Sequence, residues 1–321
     1  MLKIFLVMLT AGLLVRRKVL TPQNIKGLTF ATVDVFLPCM TFSSIMANLK
    51  PAEFGIWWVL PVSAGLMMFG GIAIGTLLFA GELGEKRNML PLTGIHNAAY
   101  LVLPLGAVLF PRQFDLFSLY VFLFVLGQTP ITWSIGKYMS TATVGARFRL
   151  KDVINPPMVA ALAALVMVFS GLRDILCPPG HDLTGSVMGS TVDVFLASIK
   201  LLGDATVPLA IFILGGILGN IKIRFNNIKW DIVRVLAVKF IFLPLIVLFI
   251  VNLTGLKIHY PLLATFFIIQ SAAPPAIVII LQINRYGGDE QKVGSVLLVS
   301  YLACLIALPF WLAIWNWLSS L

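Results

Sequence analysis

The run from about Tyr260 to Ile283 is apolar enough to cross a bilayer, yet carries two adjacent prolines, Pro274 and Pro275, at its centre. Proline has no backbone N–H and keeps the preceding residue out of the helical region. In hydrocarbon each unpaired backbone group costs several kcal/mol, so a broken segment at membrane depth must be buried in protein or line a wet cavity. A second interrupted segment, Asn97 to Gly106 with Pro104, lies upstream, and Pro104 stands 170 positions before Pro274. The same offset pairs Asp34, Pro38 and Phe42 with Asp204, Pro208 and Phe212. Two registrations at one spacing indicate an internal duplication, and paired proline-interrupted segments in two halves point to the substrate site of a transporter.

The rest of the chain agrees. Of 321 residues 59% are hydrophobic and 11% charged, with a mean hydropathy of +0.99, which excludes an ordinary soluble domain. Ten spans are expected, each near the ~20 residues a bilayer needs. The first half (1–140) holds about Leu2–Val15, Ile25–Ala47, Trp57–Ala80, Pro91–Phe110 and Phe114–Met139. A basic cytoplasmic linker, 141–153, follows. The second half (154–321) holds Asn155–Gly171, Thr191–Leu218, Ile232–Leu253, Tyr260–Ile283 and Val293–Leu318. Five spans per repeat is odd, so the halves sit inverted, with broken spans four and nine crossing near the midplane. The fold class expected is therefore an all-α integral membrane protein of two inverted five-helix repeats. A verbatim repeat, Thr32–Leu37 in Thr191–Leu196, has an offset that misaligns both proline pairs, and is chance similarity.

The net charge of +10 is a topology signal. Fifteen Lys and Arg lie in loops after odd-numbered spans, five on the opposite side, and three (Lys200, Arg234, Lys239) inside spans. The positive-inside rule then puts both termini outside the cytoplasm of a multi-pass plasma or inner membrane protein, and no nucleic-acid partner is needed to explain the charge. Trp57, Trp58, Trp230, Trp311, Trp315 and Trp317 fall near span ends, as interfacial belts do. Cys39, Cys177 and Cys304 are far apart and make no metal-ligand or disulfide pattern. Enzyme motifs and cofactor-binding motifs are absent.

A helix broken at mid-membrane exposes free N–H groups that favour anions. His96, Asn97 and Tyr100 lie just upstream of Pro104, and Gln270 and Ser271 just upstream of Pro274 and Pro275. These side chains suit a carboxylate; alternatively, Asn97 and Gln270 satisfy backbone freed by the prolines. His96 titrates near neutral pH when unperturbed, which offers a proton role beside a structural one. Asp34 and Asp204, one per half and each four residues before a proline, are the candidates for proton or sodium coupling. The alternative is that they cap local backbone or pair with Lys200 or Arg234, Lys200 being one helical turn from Asp204.

The ordered set Gly12–Arg17, Phe36–Ser44, Asn97 seven residues before Pro104, Asn155-Pro156-Pro157, Gly203–Ala210 with Gly215, Ala273-Pro274, and Tyr286–Asp289 through Pro309 resembles the auxin efflux carrier family, which includes PIN-type exporters and malonate transporters. The resemblance covers nearly the whole chain and is to the compact bacterial type. It implies ten helices with spans four and nine crossed. Spans one, two, six and seven would form a dimerising scaffold, and the others a transport domain moving as an elevator. It further implies a small organic anion as substrate, with Asn97, Pro104 and Pro274 at the crossover and Asp34 and Asp204 in the scaffold, facing the site or the dimer seam. Two positions depart from the family pattern: Val102 where glycine is common and His96 where a small residue is usual. A sodium-coupled carrier of the bile-acid transporter fold, and a membrane sensor that binds a carboxylate without transport, are the rival readings.

Overall fold

The computed structural model describes residues 2–140, 154–176, 191–221, 228–286 and 289–320. The basic linker at 141–153 and the loop around Cys177 lie outside them. Every regular element among the described residues is helical, and six helices are long and apolar enough to cross a membrane. In chain order, α1 is Leu2–Arg16, α2 Pro22–Asn48, α3 Val59–Leu78, α4 Leu90–Gly94, α5 Ala98–Leu109 and α6 Pro111–Ser140. The second half supplies α7 Pro156–Phe169, α8 Thr191–Asp204, α9 Thr206–Asn220, α10 Lys229–Leu253, α11 Pro261–Ser271, α12 Val278–Tyr286 and α13 Glu290–Ser319.

The prolines act in two ways. Besides the one at Thr132–Gly136, which follows Pro130, five-residue π-turns occur at Thr32–Phe36, Ala98–Val102 and Val238–Phe242, each two residues before a proline (Pro38, Pro104, Pro244). In each, the residue before the proline bonds back five positions: Leu37 to Thr32, Leu103 to Ala98, Leu243 to Val238. Widening the turn by one residue makes room for the ring where a regular turn would clash, so the helix continues. Pro104 therefore does not break its span. The expected break at Pro104 is corrected: it lies at Ile95–Asn97, between α4 and α5. In the other half Pro274 and Pro275 do lie in the gap, between α11 and α12. The last helical residues before the two breaks, Gly94 and Ser271, are 177 positions apart rather than 170.

Helix packing gathers the elements into two groups, which meet where α2 packs on α6 and α9 on α5. α1 lies along α9, while α7 and α8 both pack on the second half of α2. In the other group α3 packs on α6 and α4, α11, α12 and α10 pack on α13, and α11 reaches α6. Close approach in the first group depends on glycine: a Cβ on Gly215 would lie 2.2 Å from the Met8 carbonyl oxygen, and one on Gly219 2.5 Å from Gly12 Cα. In the second, a Cβ on Gly71 would come 2.5 Å from the Thr93 carbonyl of α4. Small residues at the contact are how membrane helices gain van der Waals packing without a hydrophobic driving force. Of the four glycines of α3, Gly71 and Gly75 serve this contact, while Gly70 faces open space.

The aromatic belt is smaller than the sequence suggests. Trp58, Trp230 and Trp317 are exposed, but Trp311 and Trp315 are buried and donate to the Phe240 carbonyl (2.8 Å) and Thr265 Oγ1 (2.9 Å). Trp311 thus satisfies a carbonyl within the π-turn of α10. Arg234, placed inside a span by its sequence position, ion-pairs with Glu82 (2.9 Å) and stacks over Phe79.

Candidate functional site

The two breaks meet. The Asn97 N–H donates to the Pro274 carbonyl (3.0 Å) and the Ala276 N–H to the Ile95 carbonyl (3.0 Å), so His96 and Pro275 form an isolated antiparallel bridge. Each extended segment satisfies backbone groups that the other's missing helix leaves open, which is what burial at membrane depth demands. Asn97 is also the N-cap of α5, its Oδ1 accepting from the Tyr100 N–H (3.1 Å). Gly94 ending one half-helix and Asn97 capping the next is the local signal for this break.

Side chains from five spans close around the bridge. Asn97 Nδ2 donates to the Tyr301 hydroxyl, which itself donates to the Pro275 carbonyl (3.3 Å). Gln128 of α6 donates to the His96 carbonyl (2.8 Å). Lys239, on the π-turn of α10, brings its Nζ to 2.9 Å from His96 Nδ1. His96, Lys239 and Gln270 are all fully buried. None of the ion pairs among the described residues involves Lys239. His96 Nε2 and both side-chain amide atoms of Gln270 are buried without a hydrogen-bond partner, with the Gln270 backbone beside the imidazole. A buried basic pair without a carboxylate, beside unspent donors, suits an anion that brings or meets a proton there.

Of the residues expected at the site, His96, Asn97, Gln270, Pro274 and Pro275 are brought together here. Ser271 ends α11 and turns its hydroxyl back to the Ile268 carbonyl (2.8 Å). Pro104 is buried in the first turn of the helix that follows its π-turn, downstream of the bridge. Tyr100 lies on the first turn of α5, packed against Val15, Ile25 and Ile213 of the first helix group, its hydroxyl buried and unpartnered. Asp34 is half-buried on the α2 π-turn, within electrostatic reach of Tyr100. Asp204 is elsewhere: exposed, with Lys200 at 3.2 Å one helical turn away. The two aspartates that share a sequence register thus occupy unlike surroundings. Asp193, near the start of α8, is buried with a partner.

Lys239, Tyr301 and Gln128 complete the site without being singled out by motif. For Lys239 a signal existed: an ionisable residue inside a strongly apolar span is a functional candidate by default. Between the helix groups lies a small cavity of ≈ 20 Å³, room for about one water, lined by Leu37, Thr41 and Met158 on one side and by Ala99, Phe122 and Thr129 on the other.

The chain matches the family described as "Membrane transport protein" over residues 1–148 and 137–312. It is 28% identical to PIN-LIKES 7 of Arabidopsis thaliana over 358 residues, covering 91% of this chain and 88% of that protein. It is also 28% identical to PIN-LIKES 1 and PIN-LIKES 3 of the same plant, over 58% and 55% of this chain. Those matches span 38% and 44% of the relatives' own lengths, less than half of each. The two family matches together run through nearly all of the chain, on a helical protein with several membrane-spanning segments. The chain therefore belongs to the membrane transport protein family, of the auxin efflux carrier type, and is a transporter rather than an enzyme.

Proposed function

We propose that the protein is a secondary carrier or uniporter of a small carboxylate, working by an elevator-type exchange of access. The observation that carries this reading is the Lys239–His96 contact beside the hydrogen-bonded breaks, a fully buried basic pair with no carboxylate partner among the described residues. In this reading the chain comprises two inverted five-helix repeats, residues 1–140 and 154–321, and ten spans. α1, α2, α7, α8 and α9 are the scaffold, which dimerises, and the other helices travel with the substrate. The packing of helices into two groups supports that division. Both termini are non-cytoplasmic and the membrane is a plasma or inner membrane, by the distribution of Lys and Arg. A basic pair held in the moving group, at the broken helices, favours a travelling site over a fixed channel lining.

The test is uptake into proteoliposomes of lactate, propionate, malonate and succinate, each corrected for protein-free vesicles. Saturable uptake or exchange of at least one acid is expected. Folded protein that moves none of them would refute the carboxylate reading and favour a sensor.

A further inference from the structure

The Lys239 Nζ to His96 Nδ1 distance of 2.9 Å constrains the protons. A contact this short between two nitrogens needs one hydrogen between them and a lone pair on the other side. An ammonium has no lone pair, and an imidazolium has none on either nitrogen. The pair therefore carries at most one positive charge while the contact is intact. It can also carry none, because a neutral amine and a neutral imidazole still supply one donor and one acceptor. The contact tolerates two charge states without rearranging.

The surroundings decide between them. Both groups are fully buried. The titratable groups facing the pair come from α13: Cys304, next to Lys239, and Tyr301, reached through Asn97. α6 contributes Gln128 and the ring of Phe124, and α11 contributes Gln270. None of these is a carboxylate. An uncompensated charge buried in this way costs several kcal/mol, which a bound anion removes. Asp204, one of the two sequence candidates for coupling, is exposed and paired with Lys200, and Asp34 faces Tyr100 from the other helix group. His96 and Lys239 sit together in the group that holds both breaks.

We propose that the His96–Lys239 pair is the proton-coupling site of the carrier, neutral when empty and taking up one proton as a carboxylate binds. This rests on the carboxylate reading above. The proton comes from the aqueous side that delivers the anion and leaves with it, so a monoanion crosses in a neutral complex. The empty site returns without a buried charge.

The deciding variant is Lys239→Arg, because a guanidinium keeps its proton and fixes the site in the charged state. In proteoliposomes the native carrier should accumulate lactate about tenfold per pH unit of gradient, the ratio set by one coupled proton. Lys239→Arg should lose net gradient-driven uptake by about tenfold or more, a larger loss than any it causes in the exchange of internal for external lactate, because it blocks the unloaded return. Gradient-driven net uptake retained by folded Lys239→Arg protein overturns the proposal. Should that variant not fold, calorimetry on the native protein in buffers of different ionisation enthalpy gives the count directly. About one proton taken up per lactate or malonate bound is expected, by the one-charge limit of the pair; none taken up overturns it. Carboxylate exchange without proton linkage defeats this proposal alone, whereas no carboxylate binding or exchange defeats the reading beneath it and the proposal together.

Discussion

Asn97→Ala isolates what the side chain adds to a bridge that its backbone already makes. The substitution keeps the N–H that donates to the Pro274 carbonyl at 3.0 Å, and the reciprocal Ala276 to Ile95 bond is untouched. Two interactions are lost: the cap to the Tyr100 N–H, and the bond from Nδ2 to the Tyr301 hydroxyl. Loss of a cap costs about 1 kcal/mol. A side-chain bond between membrane helices is worth about 0.6 kcal/mol by double-mutant cycles in another membrane protein. Asn97→Ala should therefore destabilise by roughly 2 kcal/mol and leave the protein folded. Tyr301→Phe removes the acceptor of Asn97 and the donor to the Pro275 carbonyl, and should cost about 1 kcal/mol. In the double variant the shared bond is counted once, so the losses should fall short of additivity by about 0.6 kcal/mol. Reversible unfolding in mixed micelles with increasing SDS measures all four corners. Strict additivity would refute the contact between α5 and α13. Collapse of the single Asn97→Ala variant would refute the claim that the backbone exchange holds the breaks together.

Other perturbations test the packing and the ion pairs. Gly215→Ala puts a methyl 2.2 Å from the Met8 carbonyl oxygen, so α1 must move off α9; a loss of about 1–3 kcal/mol is expected by thermal unfolding in detergent, and an unchanged midpoint contradicts the contact. Asp231 is 2% exposed with Lys86 at 2.6 Å and Lys292 at 3.6 Å; Asp231→Asn leaves two partly buried cations facing each other and should cost about 2–3 kcal/mol in the same assay. Asp204→Asn breaks an exposed one-turn pair and should cost under about 0.5 kcal/mol, with the response of lactate uptake to a pH gradient unchanged. Lost gradient dependence there would return coupling to Asp204.

Much of the architecture was legible because membrane insertion is a local problem. Hydropathy and the two interrupted segments depend on residues within a few turns, as does the helix start at Asn155, whose side chain accepts from the Met158 N–H at 3.0 Å ahead of Pro156 and Pro157 in the first turn. Pro104 shows where local reasoning misleads. A proline admits either a break or a π-turn, and the choice depends on whether neighbouring helices leave room for the wider turn. Here the span breaks at Ile95–Asn97, where the Pro274 and Ala276 backbone groups are available to pair with it. Trp311 shows the same limit: near a span end in sequence, it is drawn inward by the carbonyl of Phe240.

The sequence by itself determined that this chain spans a membrane several times, that two of its spans are interrupted, and which family it belongs to. Those properties follow from hydropathy, proline chemistry and motif order along the chain. Only the tertiary structure decided that Lys239 meets His96 across 143 residues, that Tyr301 receives Asn97 across 204, and that Asp34 and Asp204, alike in sequence register, part company. Each of those outcomes depends on which helix faces which, and that is set by glycine contacts, backbone pairing and burial summed over the whole fold.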